Sequence, residues 1–121
     1  MQHINAMRPD LQAQLVLMTP GEMSFREQLY VVRRTRVLVA FHGAALTHLL
    51  FLQHTAPAST IEITTRSYLS RNHYAVMARN IGANYMAHVM PDSSETSNDI
   101  FRVPLDPFMH QLSHHIPVPT R

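Results

Sequence analysis

The sequence predicts an α/β fold, a Rossmann-like parallel sheet with flanking helices, and three observations carry that prediction. Short β-like runs alternate with helix-like segments along the chain, as expected of a parallel sheet covered by helices. The run Arg36-Val37-Leu38-Val39-Ala40-Phe41 is nearly all apolar and rich in valine, as a strand buried on both faces requires. It passes directly into His42-Gly43-Ala44-Ala45 and then Leu46-Thr47-His48-Leu49-Leu50-Phe51-Leu52, which reads as strand, tight glycine turn and short buried helix. At 121 residues the chain has the size of one domain, 1–121.

The elements follow in order. A first strand is expected over residues 14–19, rich in Leu and Val and closed by the turn signal Pro20-Gly21. Ser24-Phe25-Arg26-Glu27 fits a capping box, in which hydroxyl and carboxylate each satisfy a backbone N–H at the helix start. The helix it opens should reach about residue 34, with Phe25, Leu29 and Val32 as its apolar stripe. After the strand at 36–41 and the turn, a third strand is expected over 59–64. A helix over 68–80 comes next, with Gly82 placed to end it in a left-handed conformation. Residues 84–89 alternate and make a fourth strand, 91–99 a loop, and 100–103 a short strand. Asp106-Pro107 supplies an N-cap residue and a first-position proline for a last helix through about His114, and 115–121 is expected to fray.

Composition removes several classes of function. A hydrophobic fraction of 45% with 15% charged residues argues against extensive disorder. All ten basic residues are arginine, and eight acidic ones leave a formal charge of +2, too weak a field for nucleic-acid binding. Arginine suits bidentate phosphate contacts, although coding bias explains its use equally well. No cysteine occurs, which excludes disulfides, zinc–thiolate sites and thiol nucleophiles. The longest apolar run, residues 44–52, is far short of the ~20 residues of a membrane span, and no secretory pattern opens the chain. His110 and His114 lie four apart without the glutamate of a His-Glu-x-x-His motif, and His114-His115 lacks an obvious third ligand, so no metal is expected. Nucleophile-elbow, P-loop and Gly-x-Gly-x-x-Gly patterns are also absent.

The chemistry should sit where parallel strands end, because loops and helix N-termini converge there. Beside Gly43 and two alanines, backbone N–H groups can approach an anion such as a diphosphate, with the positive end of the following helix aimed at the same place. A tight turn needs small residues for packing as well, so the motif alone leaves both readings open. His42 could donate to a phosphate, transfer a proton or merely cap the turn. Thr47 could offer its hydroxyl to a ligand or bond back within the helix; His48 is expected to pack or face solvent. Glu62 interrupts the apolar Ile61-Glu62-Ile63 and must either face a polar cleft, where a carboxylate can accept from ribose hydroxyls, or pair with Arg66 or Arg71.

These residues together resemble a known family. Ser24-Phe25 to Gln28, the block from Val37 through His42-Gly43-Ala44-Ala45-Leu46-Thr47-His48 to Leu52, and Ile61-Glu62-Ile63 are similar to the C-terminal region of glycosyltransferase family 61. Its hallmark is a strand followed by His-Gly-Ala-Gly-Leu-Thr-Asn/His and a hydrophobic helix. Within the family the chain looks closest to the EGF-domain-specific O-linked N-acetylglucosaminyltransferase branch. Residues 74–85, Phe101-x-Val103 and Phe108-Met109 extend the likeness to about His114.

The resemblance implies a GT-B architecture, with this chain supplying most of the C-terminal, nucleotide-sugar-binding half and lacking the N-terminal acceptor-binding domain. It implies a UDP-sugar co-substrate (UDP-GlcNAc or a UDP-pentose), inversion at the anomeric carbon, no cofactor or obligatory metal, and a protein or glycan acceptor. Location in the endoplasmic reticulum or Golgi lumen is implied in the same way. Carried over by position, His42, Gly43, Ala44, Ala45, Leu46 and Thr47 line the donor diphosphate and Glu62 faces the nucleoside. Ser24 and Gln28 match supporting positions, and Gln28 either touches ligand or supports the turn. No catalytic base is identified, and the isolated chain is expected to be inactive. Ala45 stands where the family usually has a second glycine. A degenerate, non-catalytic binding module is the competing reading; a nicotinamide oxidoreductase is disfavoured by the glycine spacing.

Overall fold

The computed structural model describes residues 16–52, 58–90, 103 and 105–115. Its element order is helix α1 (Phe25–Val32), strand β1 (Val37–Phe41), a 3-10 helix (Ala44–Phe51), β2 (Ser59–Thr65), α2 (His73–Ile81), β3 (Asn84–Met90) and α3 (Leu105–His115), with short 3-10 turns at Pro20–Glu22 and Arg66–Tyr68. The three strands form a parallel sheet in the order β1-β2-β3. The α/β expectation therefore holds for the described residues.

Register sorts the side chains, because neighbours in a strand alternate faces. Leu38 and Ala40 share one face with Thr60, Glu62, Tyr85 and Ala87. There Leu38, Ala40 and Tyr85 pack against a buried cluster of Val32, Leu46, Leu49, Leu52, Tyr74 and Ala78, drawn from α1, the 3-10 helix and α2. On the opposite face, Ile61 packs with Leu112, Val37, Met86, Phe108 and Met109, so α3 covers that side. Helices thus flank the sheet on both faces.

Local chemistry sets the helix ends. The Ser24 hydroxyl accepts from the Glu27 N–H at 3.2 Å and the Glu27 carboxylate accepts from the Ser24 N–H at 2.8 Å, completing the capping box. Gly82 closes α2 at φ 71°, a conformation that costs any residue with a Cβ.

Several expectations are corrected. Residues 16–19 form no strand, and Val16 and Leu17 are exposed. An isolated extended run has no ladder to join, and apolar content does not supply one. The strand expected to be buried on both sides, β1, lies at the edge of the sheet among the described residues, with Val39 and Phe41 exposed; the fully buried strand is β2, which is central. The helix expected from residue 68 begins at His73, after the Arg66–Tyr68 turn, and the last helix begins at Leu105, which puts Asp106 inside its first turn. Phe25, expected on the buried stripe of α1, is exposed and meets the Phe51 ring edge-on at 5.9 Å. The expected loop at 91–99, most of the strand at 100–103 and residues 116–121 of the tail lie outside the described residues.

Candidate functional site

At the carboxyl end of β1 the ladder continues one residue, with the His42 N–H donating to the Ile63 carbonyl at 2.8 Å. This anchors His42 on the face of Glu62. Glu62 is 2% exposed in the middle of the central strand, where a carboxylate without partners would be costly. It has two: His42 Nδ1 lies 2.5 Å from Oε2, and the Tyr85 hydroxyl donates to Oε1 at 2.6 Å. Of the two alternatives left open for Glu62, a pair with Arg66 or Arg71 is not found among the described residues, and Arg71 lies over the Tyr68 ring. Both carboxylate oxygens are engaged within the chain.

Burial first, then the hydrogen bond to Glu62 and its charge, hold the Tyr85 hydroxyl well above the usual tyrosine range. Tyr74 is raised as well, by burial and then by the Glu62 charge. Rings surround the imidazole. Tyr68 stacks on His42 at 5.5 Å, and His73 and Tyr74 meet it edge-on at 5.1 and 5.4 Å. Sequence reasoning named His42 and Glu62 and missed Tyr68, His73, Tyr74 and Tyr85. Strand register is the signal that links Tyr85 to Glu62, and it is not available from periodicity alone.

The turn beyond His42 is open. Ala44 and Ala45 are exposed, and among the described residues a Cβ at Gly43 would meet only the Phe41 carbonyl, at an ordinary 3.8 Å. Gly43 is extended at φ 163°, which any residue can adopt. Packing within the chain therefore does not require a glycine here. The Leu46 N–H donates to the Gly43 carbonyl at 3.0 Å, whereas the amides of Gly43, Ala44 and Ala45 take no backbone partner among the described residues. Leu46 buries its side chain in the core, and Thr47 donates its hydroxyl proton to the Ala44 carbonyl at 2.7 Å.

Gln28 supports this turn from α1. Its amide nitrogen donates to the carbonyls of Pro20 and Met23 at 3.0 and 3.1 Å, which leaves Oε1 to face His48 Nε2 at 2.9 Å. His48 Nδ1 lies 2.7 Å from the Ala45 carbonyl. His48, expected to pack or face solvent, is thus the link between Gln28 and the turn. Ser24 acts one step further out, by starting the helix that carries Gln28.

The family model described as Glycosyltransferase 61 matches residues 1–61. The chain belongs to glycosyltransferase family 61. The family 61 match takes in Ser24, Gln28 and the whole His42–Thr47 turn, and ends one residue before Glu62. Membership makes glycosyl transfer the activity of the family, with a nucleotide sugar and an acceptor as its partners. No curated protein and no solved structure matches the chain. Among the described residues, no helix is long and apolar enough to cross a membrane and no three His, Asp or Glu side chains gather as a metal site.

Proposed function

We propose that this chain binds the diphosphate of a UDP-sugar at the turn between His42 and Thr47, as the donor half of a GT-B glycosyltransferase. The observation that carries the reading is the Gly43-Ala44-Ala45 turn, with both alanines exposed, whose amides take no backbone partner among the described residues and whose glycine is not required by packing against them. Free N–H groups at the start of a helical turn attract phosphate oxygens. His42, at the root of the turn, contributes a further nitrogen. Leu46, with its N–H donating to the Gly43 carbonyl and its side chain buried, and Thr47, with its hydroxyl donating to the Ala44 carbonyl, support the turn's shape.

Inverting, metal-independent transfer to a protein or glycan acceptor in the endoplasmic reticulum or Golgi lumen completes the proposal. Likeness to the EGF-domain-specific O-linked N-acetylglucosaminyltransferase branch favours UDP-GlcNAc over a UDP-pentose. The 121-residue chain alone is expected to bind UDP without transferring sugar.

Calorimetry with UDP on wild type and Gly43→Ala tests the reading. The added methyl has room in the folded chain, so unfolding should be unchanged while UDP binding weakens about tenfold or more. Equal UDP affinity in both proteins would refute the amide cradle. Absence of measurable heat with the wild type would favour the non-catalytic module.

A further inference from the structure

Three residues, His42 just past the end of β1, Glu62 on β2 and Tyr85 on β3, form a diagonal across the sheet. Glu62 on β2 pairs with Ala40 on one side and Ala87 on the other. His42 stands two residues beyond Ala40, and Tyr85 two residues before Ala87. Diagonal neighbours on one face lie roughly 7–8 Å apart at Cα, within reach of long side chains. The two alanine methyls leave the space beside Glu62 into which the imidazole and the phenol extend, and both contacts are short, at 2.5 and 2.6 Å.

We propose that Tyr85 is a positioning residue which, through Glu62, fixes His42 with Nδ1 as the protonated nitrogen and Nε2 as the atom left for a ligand. A carboxylate can only accept, so the nitrogen facing it must donate. The phenol keeps its own proton because burial and Glu62 both favour the neutral form, and it therefore donates to the second carboxylate oxygen. With Oε1 occupied, the carboxylate is held in a plane that keeps Oε2 on Nδ1. The ring neither rotates nor exchanges its nitrogens without breaking this contact or the packing of Tyr68, His73 and Tyr74 around it.

These groups are the titratable neighbours of His42: Glu62 from β2, Tyr68 from the turn after it, and His73 and Tyr74 from α2, with Arg71 beyond Tyr68. Among the described residues, no hydrogen bond engages Nε2. The use of that nitrogen rests on the donor-site reading above, since it stands at the root of the same turn. Glu62, 2% exposed, accordingly acts on a ligand through His42.

The test uses the ¹⁵N-labelled 121-residue chain, with long-range ¹H–¹⁵N spectra of the histidine rings and the His42 signals assigned by their loss in His42→Gln. Neutral wild type should show His42 protonated at Nδ1. Tyr85→Phe keeps the ring and removes one oxygen; it should shift His42 toward a mixture of tautomers, displace its titration curve and weaken UDP binding about tenfold. Glu62→Gln, recorded alongside, should remove the preference for Nδ1 altogether. Protonation at Nε2 in wild type, or a His42 tautomer and titration curve untouched by Tyr85→Phe in a folded protein, overturns the proposal. Tautomer changes as expected in a chain that never binds UDP would uphold the positioning role and refute the donor site instead.

Discussion

Gln28 and His48, twenty positions apart, meet through Oε1 and Nε2 at 2.9 Å and join the first helix to the turn after β1. The amide cannot be flipped without setting its oxygen against the Pro20 and Met23 carbonyls. One side chain thus ties the Pro20 and Met23 carbonyls to the His48 ring behind the Gly43 turn. Gln28→Ala is expected to destabilise the fold by about 2 kcal/mol, since it deletes three hydrogen bonds and leaves half-buried partners unpaired. Urea unfolding measures this, and a loss below about 0.5 kcal/mol would mean that the bridge carries little.

Thr60 offers an opposite case. Its hydroxyl is buried on the central strand without a hydrogen-bond partner among the described residues. Thr60→Val keeps the shape and removes the orphan group, so a gain of about 1 kcal/mol is expected. A lowered thermal midpoint would reveal a partner for that oxygen.

Leu49 and Leu50 are adjacent and unequal. The first is fully buried and the second 40% exposed. Leu49→Ala should cost about 3 kcal/mol and Leu50→Ala below about 1 kcal/mol. Similar losses from both would contradict the 3-10 placement of this segment.

Alkaline pH should weaken the fold in a way that depends on Tyr85. Burial, followed by the hydrogen bond and charge of Glu62, raises its titration above the ordinary tyrosine value of 10.0. In the interval above that value the unfolded chain has released a proton that the folded chain retains, so stability falls as pH rises. The contribution is complete below pH 10 and is lost upward from there; Tyr74, also raised, acts with the same sign. Urea midpoints from about pH 8 to pH 11 should decline in wild type and decline less in Tyr85→Phe. Parallel curves would show that Tyr85 is not the group responsible.

Much of this was legible in the residues, and the gaps have physical causes. The Ser24–Glu27 box and the left-handed Gly82 are local devices, written in a few neighbouring positions, and both form where expected. Burial of β1 was not legible, because a run such as Val37-Leu38-Val39 states that a strand is apolar and not whether it is central or at an edge. Residues 16–19 have strand-like composition, yet strand formation depends on a neighbour that composition does not name. At the site, Glu62 drew notice as a carboxylate among isoleucines, but its partners depend on register across three strands, which links residues 20 and 23 positions away. His48 was passed over because its role depends on the approach of α1.

Leu46, Leu49 and Leu52 recur every third residue and are all buried, which matches the three-residue turn of the 3-10 helix between them. Relaxing this segment to an α-helix would rotate each successive leucine about 60° away from its place. Oily contacts deep in the domain therefore gauge the pitch of the coil, and with it the spacing of the main-chain donors at its mouth. Mutations that merely loosen the interior should blur that spacing before they melt the protein.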